Sequence, residues 1–190
     1  MTLIFYFIFQ QVFAWSFKLQ SLNKIYYLEK KSSLLPQTPL SDQFTQSWHS
    51  RLENSSRASF YSHIANFRFQ PYLDVFKSVK LCSALTRLRV SSHRLMIETG
   101  RWQKPSSIPI NERKCITCST LEDEFHFVLE CQLYKDLRQK FIHISYWHRP
   151  NMFKFITLIN SENTKTIKNL GLFIFYAFKI KNEQGVTVHA

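Results

Sequence analysis

The sequence predicts a mostly α-helical protein, with a small helical domain organised around one cysteine–histidine cluster. Three observations lead there. Apolar residues recur at helical spacing over most of residues 43–180. Prolines and polar runs cut that stretch into helix-sized pieces. Three of the four cysteines fall within residues 115–131.

The 190 residues suit one domain with ragged ends. Hydrophobic residues make up 45% and charged residues 20%, enough apolar surface for a core. Eighteen phenylalanines make that core bulky. Three glycines are too few for a P-loop or a dinucleotide-binding fingerprint. Four cysteines are too few for a disulfide-dense secreted scaffold. The net charge of +12 points to anionic partners, nucleic acid or a membrane surface.

Residues 1–30 read as a hydrophobic N-terminal extension. Its first 17 residues carry no charged side chain, so they are the membrane candidate. They fall short of the roughly 20 apolar residues that span a bilayer. Gln10 and Gln11 interrupt them, and the basic start of a signal peptide is missing. Residues 31–42, with Pro36 and Pro39, read as a linker, with Ser41 or Asp42 capping the next helix.

From Gln43 to Phe69, residues Trp48, Leu52, Phe60, Ile64 and Phe67 form a helical stripe, weakened at Asn54–Ser56 and ended or kinked by Pro71. Tyr72 to Ile97 resumes the spacing through Leu73, Phe76, Leu81, Leu85, Leu88 and Leu95, with Gly100 as the stop. Residues 103–112 form a proline-bearing loop. After the cysteines, Leu133, Leu137, Phe141 and Ile144 share a helical face. Pro150 opens a short helix through Phe153, Ile156 and Ile159. Ser161 is placed to cap a last helix bearing Ile167, Leu170, Ile174 and Ala177. One helical domain thus runs from 43 to 180, and 181–190 is a short disordered tail.

The cluster has the pattern C-x2-C-x7-H-x4-C, at Cys115, Cys118, His126 and Cys131. Three thiolates and an imidazole complete a tetrahedral shell for one structural Zn²⁺, with no open position for catalysis. Ser119 with Glu122, or Thr120 with Asp123, forms a capping-box pattern that would start a helix near Leu121. On an ideal helix, five residues turn the chain by about 140° beyond one full revolution. Cys131 therefore joins His126 only if the helix loosens or ends near Glu130. Phe125, Phe127 and Leu129 can wall the site from water. A disulfide, or reduced cysteines in a core, are the alternatives. Cys82 sits among apolar helical positions and reads as core.

Residues 87–102 (RLRVSSHRLMIETGRW), then ERKCITC and LEDEFHFVLECQLYKDLR, resemble the region downstream of the reverse transcriptase in animal non-LTR (LINE-type) retrotransposon polyproteins, which carry a Cys-Cys-His-Cys knuckle of this spacing. The likeness covers about residues 43–180. Gln132 stands where those proteins often have proline after the last cysteine. The resemblance implies zinc ligation by Cys115, Cys118, His126 and Cys131, and a role in holding template RNA or target DNA. No Tyr-x-Asp-Asp polymerase motif occurs. The resemblance thus implies a fragment without polymerase or endonuclease activity.

The charge is uneven. Residues 77–114 carry Lys77, Lys80, Arg87, Arg89, Arg94, Arg101, Lys104, Arg113 and Lys114 against Glu98 and Glu112. Such a local excess suits phosphate. Trp102 beside Arg101 can stack on an unpaired base, although as a lone residue it reads better as a core anchor. A solvated helix face is the alternative for the patch. Glu122, Asp123 and Glu124 are consecutive, a poor geometry for acid–base catalysis and a good one for a helix N-terminus. The sequence therefore points to an intracellular, nuclear or cytoplasmic RNA- or DNA-binding protein without enzyme activity or a small-molecule substrate. Two other readings stay open. One is a zinc-stabilised module whose basic face meets an acidic protein. The other is a membrane-anchored or secreted helical protein using residues 1–17.

Overall fold

The computed structural model describes residues 39–55, 59–65 and 70–187. Residues 1–17, the rest of the N-terminal extension and most of the linker lie outside these. The chain divides into two compact units, Met1–Phe67 and Arg68–Ala190. The boundary falls inside the stretch read as one domain. Among the described residues the structure is mostly helical; its β-pairing is an isolated bridge between Lys114 and Leu121.

In the first unit, α1 spans Pro39–Glu53 and α2 spans Ser59–Ile64. Helix α1 starts inside the expected linker. It ends where the Asn54 side chain donates back to the Ser50 carbonyl at 2.8 Å, at the weak point of the sequence stripe. Leu52 and Ile64 are buried, as that stripe requires.

In the second unit, the helix expected from Tyr72 to Ile97 is three pieces: α3 (Tyr72–Val75), α4 (Val79–Arg89) and α5 (Met96–Thr99). The break after α4 has a local cause. Ser91 adopts a left-handed φ of 51°, and the Ser92 amide donates to the Arg87 carbonyl five residues back. That is a Schellman-type ending with serine in the glycine position. Phe76, Leu85, Leu88 and Leu95 are nonetheless buried as expected.

After the cysteine segment come α6 (Lys135–Phe141), α7 (Ile144–Trp147), α8 (Met152–Ile159) and the long α9 (Thr164–Thr187). The expected face of Leu133, Leu137, Phe141 and Ile144 is not the buried one; Ile144 is exposed. Tyr134, Arg138 and Ile142 are buried instead. Asn151 caps α8 through the Lys154 amide, so Pro150 lies outside the helix. Asn163, not Ser161, caps α9 through the Thr166 amide. Helix α9 runs through the first part of the expected tail.

Helix α9 is the spine of this unit and packs on α3, α4, α6 and α8. Ile167, Leu170, Phe173, Ile174 and Ala177 are its buried face. Gly171 is needed for close approach: a Cβ there would lie 2.4 Å from Phe76 Cζ. Cys82 is buried in α4, as expected of a core cysteine.

Candidate metal centre

The cysteine segment begins as a tight hairpin. The Glu122 amide donates to the Arg113 carbonyl, the Cys115 amide to Thr120 and the Ser119 amide to Cys115. Ser119, at φ 58°, makes the left-handed turn that sends the chain back. Cys115 and Cys118 thereby sit together at the tip. The expected helix start at Leu121 is displaced, because Leu121 is held in the bridge to Lys114. Asp123 is the cap instead, accepting from the His126 amide at 2.8 Å.

From His126 to Glu130 the chain forms one wide π-turn, closed by the Cys131 amide donating to the His126 carbonyl at 2.8 Å. Cys131 then turns into extended backbone with ψ of 124°. This is the loosening that lets residues five apart share a ligand shell.

The sulfurs of Cys115, Cys118 and Cys131 and an imidazole nitrogen of His126 all lie within 4.8 Å of one another. Cys131 Sγ is 3.8 Å from Cys115 Sγ and 3.8 Å from Cys118 Sγ. A tetrahedron with metal–sulfur bonds of about 2.3 Å has an S···S edge of about 3.8 Å. A disulfide needs about 2.05 Å, and none of the four cysteines is joined in one. The His126 Nδ1 lies 3.2 Å from Thr120 Oγ1 and 3.5 Å from Glu130 Oε2, while Nε2 is buried without a hydrogen-bond partner. A metal ion on Nε2 satisfies that orphan, and the Nδ1 contacts orient the ring. The four residues can therefore hold one metal ion.

Burial pushes the Cys131 thiol up to about 12; the Leu133 backbone amide works against this, and the neighbouring Cys115 and Cys118 add to it. Burial also raises Tyr134, helped by Cys131 and Glu122, and its hydroxyl is buried without a partner. A divalent cation reverses this balance for the thiols.

The supporting polar groups were not legible as such. Arg138 is 3% exposed and donates to the Val128 and Cys131 carbonyls at 2.8 Å each. It thus holds the end of the π-turn and sets a guanidinium beside the thiols. Burial lowers its pKa, and the opposing influence of Cys131, Cys118 and Glu130 favours the charge. Glu122 and Glu124 are buried and do not act as free anions at a helix N-terminus. Glu122 pairs with Lys181 of α9 and accepts from the Met96 amide. Glu124 accepts from Ser91 and contacts His93 at 2.9 Å. These ties fasten the hairpin to α5, to α9 and to the turn after α4. Phe127, stacked on Phe178 at 5.0 Å, adds the apolar tie. Phe127 and Leu129 are buried, and Phe125 is half-buried against Phe155.

The basic candidates divide by exposure. Lys77, Lys80, Arg87, Arg94, Lys104 and Lys114 are exposed. Arg101 is half-buried and ion-paired with Glu98. Arg89 is not available to phosphate: it is 2% exposed and donates to Gln70, Asn160 and the Ile159 carbonyl. Arg113 is likewise buried, donating to the Ile97 and Ile108 carbonyls. Trp102 is no core anchor, at 61% exposed. Among the described residues no helix is long and apolar enough to cross a membrane.

No family model, no curated protein and no solved structure matches this chain.

Proposed function

We propose that this chain is a nucleic-acid-binding domain stabilised by one structural Zn²⁺, and that it derives from the knuckle-bearing region of a non-LTR retrotransposon polyprotein. The observation that carries the reading is the cluster of three sulfurs and one imidazole with S···S separations of 3.8 Å. Zinc suits a donor set of three thiolates and a neutral imidazole, and a closed shell suits a structural role. Bound there, it supplies a cross-link between the hairpin and the π-turn. The partner follows from charge. Six exposed cations lie between Lys77 and Lys114, where Glu112 is the exposed acid. Lys80 and Arg87 are seven residues apart on α4, on its solvent side.

The test is zinc content of the full chain, followed by titration of RNA and DNA at several salt concentrations with an acidic polypeptide as competitor. The reading expects one zinc per chain, a large loss of stability on chelation, and affinity that falls steeply with salt. Chelation without effect on melting removes the zinc. Preferential capture of the acidic polypeptide replaces nucleic acid with a protein partner.

A further inference from the structure

A cavity of about 520 Å³ opens where α6, α7 and the start of α9 meet. Among the described residues, its lining draws on none of residues 77–114 and on none of the metal ligands. Its floor is apolar: Ile142, Leu158 and Leu170 are at most 4% exposed. The charged residues of its wall are both basic, Lys140 and Lys165, and both are exposed. Lys140 is placed rather than free to swing, because its Nζ lies over the Phe141 ring, 5.3 Å from the centroid. Phe141 is in turn stacked on Tyr176 at 6.0 Å. His143 adds a third donor. The Ser145 amide donates to its Nδ1 at 3.3 Å, so the neutral ring carries its proton on Nε2. Tyr146 and Asn169 line the cavity half-buried. The hydroxyl of the one and the amide of the other have no hydrogen-bond partner among the described residues. Polar groups drawn partly out of water without a protein partner are ready to meet a ligand.

The volume suits a small molecule, whose sites measure roughly 300–1,000 Å³. The lining asks for three parts in that molecule. An anionic group meets the two lysines and the imidazole. A flat apolar body covers the floor and the Phe141 and Tyr146 rings. Hydroxyls and ring heteroatoms pair with the Asn169 amide and the Tyr146 hydroxyl. A nucleoside monophosphate carries all three. We propose that this cavity binds a nucleoside monophosphate group, with Lys140 and Lys165 on its phosphate. The group can belong to a free nucleotide or to the phosphorylated end of a strand. The proposal does not rest on the nucleic-acid reading above, because the cavity lies outside the basic region that carries it.

The experiment is isothermal titration calorimetry of the full chain with adenosine monophosphate, adenosine and inorganic phosphate. The monophosphate is expected to bind at least about tenfold more tightly than either part alone. Lys140→Ala with Lys165→Ala should weaken it about 10- to 100-fold, as loss of charged donors does. Melting temperature should match wild type, because both side chains are exposed. Tyr146→Phe should weaken binding about 2- to 10-fold through loss of the hydroxyl alone. Lys135→Ala with Lys168→Ala removes the same charge from α6 and α9 outside the lining, and should leave affinity within about twofold. A single-stranded RNA with a terminal phosphate is then compared with the same strand without it. Tighter binding of the phosphorylated strand, lost in the Lys140 and Lys165 variant, supports the site with the strand end as its source. Equal binding of the two strands, with the mononucleotide still bound, supports it with the free nucleotide as its source. Absence of monophosphate binding up to about 1 mM overturns the proposal. Equal losses in the two double variants also overturn it, since overall charge then explains the binding. Monophosphate affinity no tighter than that for inorganic phosphate overturns it as well, leaving an anion contact without a nucleoside site.

Discussion

Replacing Arg138 with methionine tests the account of the metal centre most directly. The guanidinium donates to two main-chain carbonyls, Val128 and Cys131, whose residues are 0% and 1% exposed. Methionine has similar length and no donor. A hydrogen bond from a charged donor contributes about 1.5–3 kcal/mol, and a buried acceptor left unmet costs a comparable amount. Part of this is offset, because the cost of burying the guanidinium also disappears. The net loss expected is about 3 kcal/mol, a large fraction of the roughly 5–15 kcal/mol that holds a typical domain together. Metal affinity should fall as well, since Arg138 holds the carbonyl of a ligand residue and places positive charge beside a shell of three thiolates. Losses of this kind run to about 10–100-fold. Arg138→Lys keeps the charge but lacks the planar fork that reaches both carbonyls. It should recover affinity more than stability. The assay is urea unfolding of the cobalt-substituted chain, followed by the d–d absorption of the bound ion, with zinc affinity from competition against a chromophoric chelator. A stability change below about 0.5 kcal/mol, together with unchanged zinc affinity, would refute the claim that Arg138 holds the π-turn.

Two other outcomes are expected. Gly171→Ala should lower the melting temperature. Its Cβ would lie 2.4 Å from Phe76 Cζ, and overpacking of about 1–3 kcal/mol exceeds the helix-propensity gain of about 1 kcal/mol; an increase in Tm would contradict the packing of α9 on Phe76. Glu124→Gln should lose stability at pH 7, by a margin that narrows in acid. Burial raises the Glu124 carboxyl, but the His93 and Ser91 contacts outweigh it and hold the group below its ordinary 4.5. A lowered folded pKa gives stabilisation that is complete above about 4.5 and is lost as pH falls through the lower folded value. A wild-type minus variant difference that stays constant from pH 7 to 3.5 in unfolding experiments would show that Glu124 does not act through its charge.

The local signals in this chain were strong where one interaction decides the outcome. The spacing of Cys115, Cys118, His126 and Cys131 picked out four residues that the fold brings within 4.8 Å of one another, a group that could hold one metal ion. The requirement that the helix loosen before Cys131 also followed from helix geometry alone, and the π-turn meets it. The buried faces of α4 and α9 were legible from apolar periodicity, since helices bury what water rejects.

What the tertiary structure decided is the fate of the charged and amphipathic residues. Sequence cannot separate a cation that meets solvent from one that meets a carbonyl 70 residues away, as Arg89 meets Ile159. Nor can it show that Arg138 replaces Leu137 on the buried face of α6, because the unmet carbonyls of the π-turn exist only once the turn has formed. The same holds for Glu122 with Lys181, which are 59 residues apart. Trp102 is the converse: its bulk argues for a core, but it is 61% exposed. Burial of a polar side chain depends on partners brought by distant chain, and those partners exist only in the folded molecule.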